Sequence, residues 1–354
     1  MRIDLFFPFL AFLCFGLPLG VLFAQQNRDL PRVKVVGTGG TIAHIPATAE
    51  TPDYYVNPGT VLDDIQPDLA SVAEVEVEEV FRKAGHTLTM QDFLAVSRRV
   101  NEIFSKEPEI AGVVVSIGSN GVEELAYFLS LTVHSEKPVV LTAANRLYSS
   151  LSSDSPLNLL DAIRVAASPL SHGHEAMTVL NGKINAARGV TKVDALMDNY
   201  QSRDLGLLGY AGGEVVFYRT SLRKHKRQSE FNVSQLESLP KVYVIYSYMD
   251  ADGVLVHSAV KEGKAAGIVM ASYPTTADAP EQSTALEEAA RAGVVVVRTN
   301  RGGEGRFEIE SFRKRWPLFL SGDSLTPQQA RILLMLALTK TKEPDEVQRI
   351  FREY

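Results

Sequence analysis

Cysteine is nearly absent from this 354-residue chain, and the single copy, Cys14, lies in the first apolar segment. The remainder can build neither a disulfide framework nor a cysteine-based metal site. An excess of basic charge is also missing. Thirty-six Lys and Arg face 42 Asp and Glu, a net charge of −6, which is poorly suited to neutralising the phosphates of a nucleic acid. Internal repeats and low-complexity tracts are lacking too. With 45% hydrophobic and 22% charged residues, 25 Gly and 17 Pro, the composition excludes disorder, collagen-like repeats and a multi-span membrane protein. At roughly 150 residues per domain, the length allows one large domain or two.

The opening segment, 1–24, has a short head carrying Arg2, then an apolar run from Leu5 interrupted by Pro8, Pro18 and Gly20, then the polar Gln25-Gln26-Asn27-Arg28-Asp29. This is the grammar of a cleaved export signal, giving a periplasmic or secreted protein, with an uncleaved membrane anchor as the alternative. Leu13 precedes Cys14, which argues against a lipoprotein; cleavage near Ala24 leaves a mature chain without cysteine.

From Arg32 onward, β-branched runs at 33–36, 113–116, 139–142, 242–245, 268–270 and 294–297 alternate with stretches of helical periodicity at 123–133, 157–167, 283–292 and 327–338. Such alternation predicts an α/β fold, and runs with little polar alternation read as parallel strands buried on both faces. Thr326-Pro327 is a helix start. Arg223-Lys224-His225-Lys226-Arg227 and the polar residues after it read as a solvated interdomain linker, the acidic balance elsewhere arguing against a nucleic-acid patch. The expected division is an export segment at 1–24, an N-terminal α/β catalytic domain at 30–222, a linker at 223–240 and a smaller C-terminal α/β domain at 241–354.

Three segments hold candidate chemistry. Val35-Val36-Gly37-Thr38-Gly39-Gly40-Thr41 runs a strand into a glycine-rich turn with two threonines, exposing N–H groups and hydroxyls together. Ile42 stands where a dinucleotide fingerprint needs a third glycine, and no Gly-Lys-Ser/Thr follows, so both nucleotide motifs fail. Val113-Val114-Val115-Ser116-Ile117-Gly118-Ser119-Asn120-Gly121 repeats the strand-turn-helix pattern. Ligands of parallel sheets sit at the carboxyl ends of strands, so the two turns are plausible walls of one site. Lys192, in Arg188-Gly189-Val190-Thr191-Lys192, is by itself a surface lysine. His172-Gly173-His174 lacks a recognisable third metal ligand and reads as a surface loop. Glu123-Glu124 is accounted for by the helix dipole and solvation, and Asn232-Val233-Ser234 is a short sequon match.

Thr38-Gly39-Gly40-Thr41-Ile42-Ala43 resembles the first signature of the asparaginase family, specifically the exported type II enzymes. Glu123-Glu124-Leu125-Ala126-Tyr127-Phe128-Leu129, Lys137-Pro138-Val139-Val140, Arg223-Lys224-His225, Leu239-Pro240-Lys241-Val242 and the tail 327–354 resemble family segments in the same order. The resemblance implies two α/β domains, a homotetramer with active sites at intersubunit interfaces, a small amide substrate and no metal or organic cofactor. It implies Thr41 as the nucleophile that attacks the side-chain amide and forms an acyl-enzyme, Tyr54 (or Tyr55 with a one-residue shift) as the mobile tyrosine, and Ser119 and Lys192 as the second hydroxyl and its lysine. Asn120, Gly85, His86 and Asp250 stand at or beside substrate-binding positions, and Glu310, with Glu308 as the fallback, corresponds to a glutamate lent by the partner subunit.

The second signature is eroded: the family's Thr-His-Gly-Thr-Asp-Thr is here Ser116-Ile117-Gly118-Ser119-Asn120-Gly121. Asn120 replaces the aspartate that holds the substrate ammonium, so ammonium recognition should weaken and Lys192 loses a neighbouring anion. Gly85 replaces the serine of the carboxylate clamp, and Asp250 replaces a loop asparagine. Asparagine hydrolysis is the leading expectation. An amidase for amides lacking a free α-ammonium, and a catalytically silent binding protein, are the alternatives.

Overall fold

Each of the six β-branched runs becomes a strand, and each stretch of helical periodicity a helix. The computed structural model describes residues 30–49, 51–195, 199–202 and 207–354; the export segment with Cys14 lies outside the described residues. In chain order, β1 (Arg32–Gly37) is followed by a hairpin, β2 (His44–Ile45) and β3 (Tyr54–Tyr55). Next come β4 (Glu74–Glu79), β5 (Ile110–Ser116), β6 (Val139–Thr142), β7 (Met177–Leu180) and β8 (Lys183–Ala186), then a second hairpin, β9 (Val190–Lys192) and β10 (Tyr200–Ser202), and finally β11 (Leu207–Tyr210) and β12 (Val216–Phe217). The helices of this half are α1 (Pro58–Asp63), α2 (Gln66–Leu69), α3 (Met90–Lys106), α4 (Val122–Thr132) and α5 (Ser155–Ala167).

An eight-stranded sheet has the order β12-β11-β8-β7-β6-β5-β1-β4. From β4 to β7 the pairings are parallel; those joining β7 to β8, β8 to β11 and β11 to β12 are antiparallel. Val36, Val113 and Val115 face α3 and α4 in one core, whereas Val33, Val35 and Val114 face α1 and α5 in another. Burial on both faces explains the near-continuous valine runs. The chain leaves β1 for β4 on one side and then for β5 on the other, so the strand order reverses beside β1, and the crevice at such a reversal is where open α/β sheets place ligands.

The second half alternates β13 (Val242–Tyr246), α6 (Val254–Lys261), β14 (Gly267–Ser272), α7 (Pro280–Arg291), β15 (Val295–Asn300), α8 (Ile309–Arg315), β16 (Leu320–Ser321), α9 (Pro327–Ala337) and α10 (Pro344–Glu353). Its four strands pair in parallel, in sequential order. The Thr326 side chain accepts from the Gln329 N–H, with Pro327 in the first turn. Leu333, Leu336 and Phe351 join the α3/α4 core, so one apolar cluster runs through both halves.

Two expectations are corrected. The stretch 223–227 is not solvated throughout: His225 and Lys226 are buried, and the Lys226 Nζ donates to the main-chain oxygens of Glu136 (3.3 Å) and Lys137 (2.5 Å). Two carbonyls satisfy the ammonium, while burial pulls its pKa down to about 7. His174 is likewise no surface residue; its ring is buried and stacks on Phe217 with centroids 4.2 Å apart.

Candidate active site

The apolar run of β1 ends at Gly37, and the turn that follows is tied to the end of β5. The Thr38 N–H and hydroxyl both donate to the Ser116 main-chain oxygen, each at 2.9 Å. Gly40, at φ 88°, then lies directly against the turn after β5: a Cβ on Gly40 would stand 2.2 Å from the Gly118 Cα. Only glycine tolerates both that backbone conformation and that approach. The short helix Thr41–Ala43 begins at this contact, with the Thr41 side chain half-buried. A third turn, after β4, closes on the same point, where a Cβ on Gly85 would lie 2.5 Å from the Gly118 carbonyl oxygen. Three turns at the reversal of strand order thus meet backbone to backbone.

The lysine reaches this cluster from the small hairpin, where Lys192 pairs with Tyr200. Its Nζ donates to the Ser119 Oγ at 2.7 Å and to the Asn120 Oδ1 at 2.9 Å. Burial lowers the Lys192 pKa from its ordinary value; the neutral asparagine beside it supplies no charge to offset that desolvation. The Tyr200 hydroxyl donates to the Ser119 main-chain oxygen, and burial pushes its pKa well up.

Glu123 holds the lysine strand in place. Its buried carboxylate accepts from the Thr191 hydroxyl (2.6 Å), the Lys192 N–H (2.9 Å) and the Gln328 side-chain amide on α9 (2.9 Å). Explaining Glu123 by dipole and solvation is therefore insufficient. Nothing in the local pattern of α4 separates it from the half-buried Glu124, which stands 3.4 Å from Arg331; only the tertiary fold does. Tyr200 and Gln328 are further site neighbours that sequence reading missed.

The β2–β3 hairpin leaves directly from Thr41–Ala43 and is tied to it by the Val56 N–H donating to the Ala43 oxygen (2.8 Å). Tyr54 is 46% exposed, whereas Tyr55 is half-buried with its ring 5.0 Å from His44. Burial and the Asp53 carboxylate raise the Tyr55 pKa. His86 is exposed, next to Gly85. The structure therefore brings together the Thr41 turn, Gly85, Ser119, Asn120 and Lys192, with both tyrosines on an adjoining hairpin.

Asp250 and Glu310 belong to the C-terminal half, and among the described residues no hydrogen bond or ion pair joins either to that cluster. Asp250 is exposed in the loop after β13, at φ 60°. Glu310 pairs with Arg352 at 2.6 Å. Glu308 caps α8, accepting from the Glu310 N–H, the Ser311 N–H and the Ser311 hydroxyl, which pull its pKa down to about 2. Among the described residues no group of three His, Cys, Asp or Glu is arranged to hold a metal ion.

Residues 32–223 match the asparaginase N-terminal family model, and residues 241–351 match the glutaminase/asparaginase C-terminal domain model. The chain belongs to the asparaginase family. It is 35% identical over 336 residues to L-asparaginase 2 of Bacillus subtilis, covering 94% of this chain and 88% of that one. A probable periplasmic L-asparaginase of Haemophilus influenzae is 34% identical over 348 residues, covering 97% and 98%. Among solved structures, a probable cytoplasmic L-asparaginase of Campylobacter jejuni superposes with a TM-score of 0.83 at 33% identity, covering 91% of this chain and 99% of that one. Both halves of the asparaginase fold are thus present, a larger, mostly parallel N-terminal sheet and a smaller parallel C-terminal one.

Proposed function

We propose that this asparaginase-family chain is an amidohydrolase that hydrolyses L-asparagine to aspartate and ammonia. The observation that carries the reading is the Lys192 Nζ at 2.7 Å from the Ser119 Oγ, beside the glycine turn that leads into Thr41. In the first step the Thr41 Oγ attacks the side-chain amide carbon and its proton passes to a neighbouring base, by family position Tyr54, or Tyr55 with a one-residue shift. N–H groups of the glycine-rich turn stabilise the oxyanion. The base returns that proton to the amide nitrogen, so that the tetrahedral species expels ammonia and leaves an ester on Thr41; water, oriented through Ser119 and Lys192, hydrolyses the ester, giving its proton to the Thr41 oxygen and its hydroxyl to the acid.

Substrate selection rests on Asn120, Gly85 and their neighbours. Asn120 offers the ammonium a dipole rather than a charge, and its oxygen is already shared with Lys192 at 2.9 Å. Gly85 cannot provide a clamp hydroxyl, which leaves His86 as the polar neighbour. These two features favour a second reading, a preference for small amides without a free α-ammonium, with glutamine as a further substrate to be tested. In a homotetramer, Asp250 and Glu310 are the groups a partner lends; Glu310 is preferred because Glu308 is committed to its cap. Asp250→Asn then raises the Michaelis constant for amino-acid amides. The export reading of 1–24 and the division into 30–222, 223–240 and 241–354 complete the proposal.

The test is ammonia release from asparagine, glutamine and a panel of amides lacking the α-ammonium, by protein lacking the first 24 residues. Release from asparagine supports the leading reading. Release confined to the other amides replaces it with the second, and binding without release from any substrate refutes both.

A further inference from the structure

Between the two halves, a cavity of about 430 Å³ is lined by four arginines, Arg188, Arg219, Arg223 and Arg306, although the protein as a whole carries a net charge of −6. Arg188 is 94% buried, with only 6% of its surface exposed. Its Nε donates to the Tyr354 main-chain oxygen (2.8 Å) and its Nη1 to the Ser324 hydroxyl (3.0 Å). Among the described residues its Nη2 makes no hydrogen bond; the atom is sealed from solvent and stands 3.8 Å from the Asp323 carboxylate. A buried guanidinium with one donor unpaired keeps its positive charge in a setting where solvent screens it weakly.

The carboxylates in the wall do not balance this charge. Asp323 is buried and already accepts from Arg223 (2.9 Å) and Arg306 (3.0 Å). Glu175 is buried with one oxygen on the Arg188 N–H (2.9 Å), and burial raises its pKa, favouring the neutral acid. Burial first, and the like charge of Arg188 second, lower the Arg223 pKa. Ala186 and Leu208 add apolar surface to the lining.

We infer that this cavity binds a small oxyanion, a carboxylate- or phosphate-bearing metabolite, with the anionic group held by Arg223 and Arg306, backed by the buried Arg188 charge, and any carbon skeleton against Ala186 and Leu208. Planar guanidinium forks suit such oxyanions, and the size lies within the range of small-molecule sites. Arg188 and Arg223 come from the N-terminal half and Arg306 from the C-terminal half, so the ligand bridges the two.

The test is titration calorimetry of inorganic phosphate and of succinate into the wild type and into Arg306→Gln, Arg223→Gln and Lys192→Met variants. At least one anion binds with a Kd of about 1 mM or tighter, about tenfold or more weaker in Arg306→Gln and unchanged in Lys192→Met. Preference for phosphate or for succinate identifies which oxyanion source the site serves. Arg306 has a 59% exposed side chain, so its variant folds even where Arg223→Gln does not. Failure of both anions to bind at 10 mM, equal affinity in Arg306→Gln, or loss of binding in Lys192→Met, which would assign the anion to the catalytic pocket, each overturns the inference.

Discussion

Replacing Asn120 by aspartate puts a full negative charge where the asparagine oxygen now sits, 2.9 Å from the Lys192 Nζ. At that distance the Coulomb energy is roughly 1.4 kcal/mol at the dielectric constant of water and about 3 kcal/mol at half that value, or roughly one to two pKa units. Asn120 is exposed, so solvent and salt screen the pair and the lower end applies. The sign is fixed: a carboxylate favours the ammonium form and raises the Lys192 pKa, opposing the lowering that burial produces. If deprotonated Lys192 assists the hydroxyl chemistry, the acidic limb of kcat/KM moves to higher pH by about one unit. The same substitution gives the substrate ammonium an ionic partner, so KM for L-asparagine falls. Ammonia release measured from pH 5 to 10 in wild type and Asn120→Asp reads both effects. An unmoved limb refutes the role given to Lys192, and an unmoved KM refutes Asn120 as the ammonium site.

Gly85→Ser restores the family residue but forces a Cβ to 2.5 Å from the Gly118 oxygen; because small displacements of catalytic turns are costly, kcat/KM for asparagine falls roughly a hundredfold instead of rising. In the C-terminal half, the side chains of Arg298 and Asp278 form a fully buried pair at 2.6 Å, the guanidinium lying against the rings of Trp316 and Phe319. Asp278→Ala strands that cation and costs about 3–5 kcal/mol in urea unfolding. Lys226 has a folded pKa of about 7 against an ordinary 10.5, so the unfolded chain binds more protons between those values and stability rises with pH across that window. Lys226→Met flattens the rise, measured as the unfolding midpoint at pH 7 and pH 10.

The sheet interiors were readable because strands buried on both faces leave valine runs that few other structures need. β4 was not: its Glu-Val alternation places Glu76 against Arg32 and Lys34 and Glu78 against Arg99 at the sheet edge, and an edge strand of charges does not announce itself as sheet. The antiparallel extension through β8, β11 and β12 was equally unread. For the site, the glycine turns pointed to exposed N–H groups and hydroxyls, but not to the backbone contact of Gly40 and Gly85 with Gly118. Lys192 looks like any surface lysine until the fold carries it across 73 positions to Ser119. Glu123 and Lys226 are illegible for one reason: burial is a property of the packed chain, and neither the Glu123-Glu124 pair at the start of an apolar helix nor the basic run 223–227 carries a local mark of it.

The central claim, that Thr41 is the nucleophile, is tested most directly by ammonia release from L-asparagine in the Thr41→Ala variant with its fold verified by circular dichroism. Loss of the Thr41 hydroxyl lowers kcat roughly a thousandfold or more against an active wild type. A Thr41→Ala variant that retains wild-type turnover would contradict it.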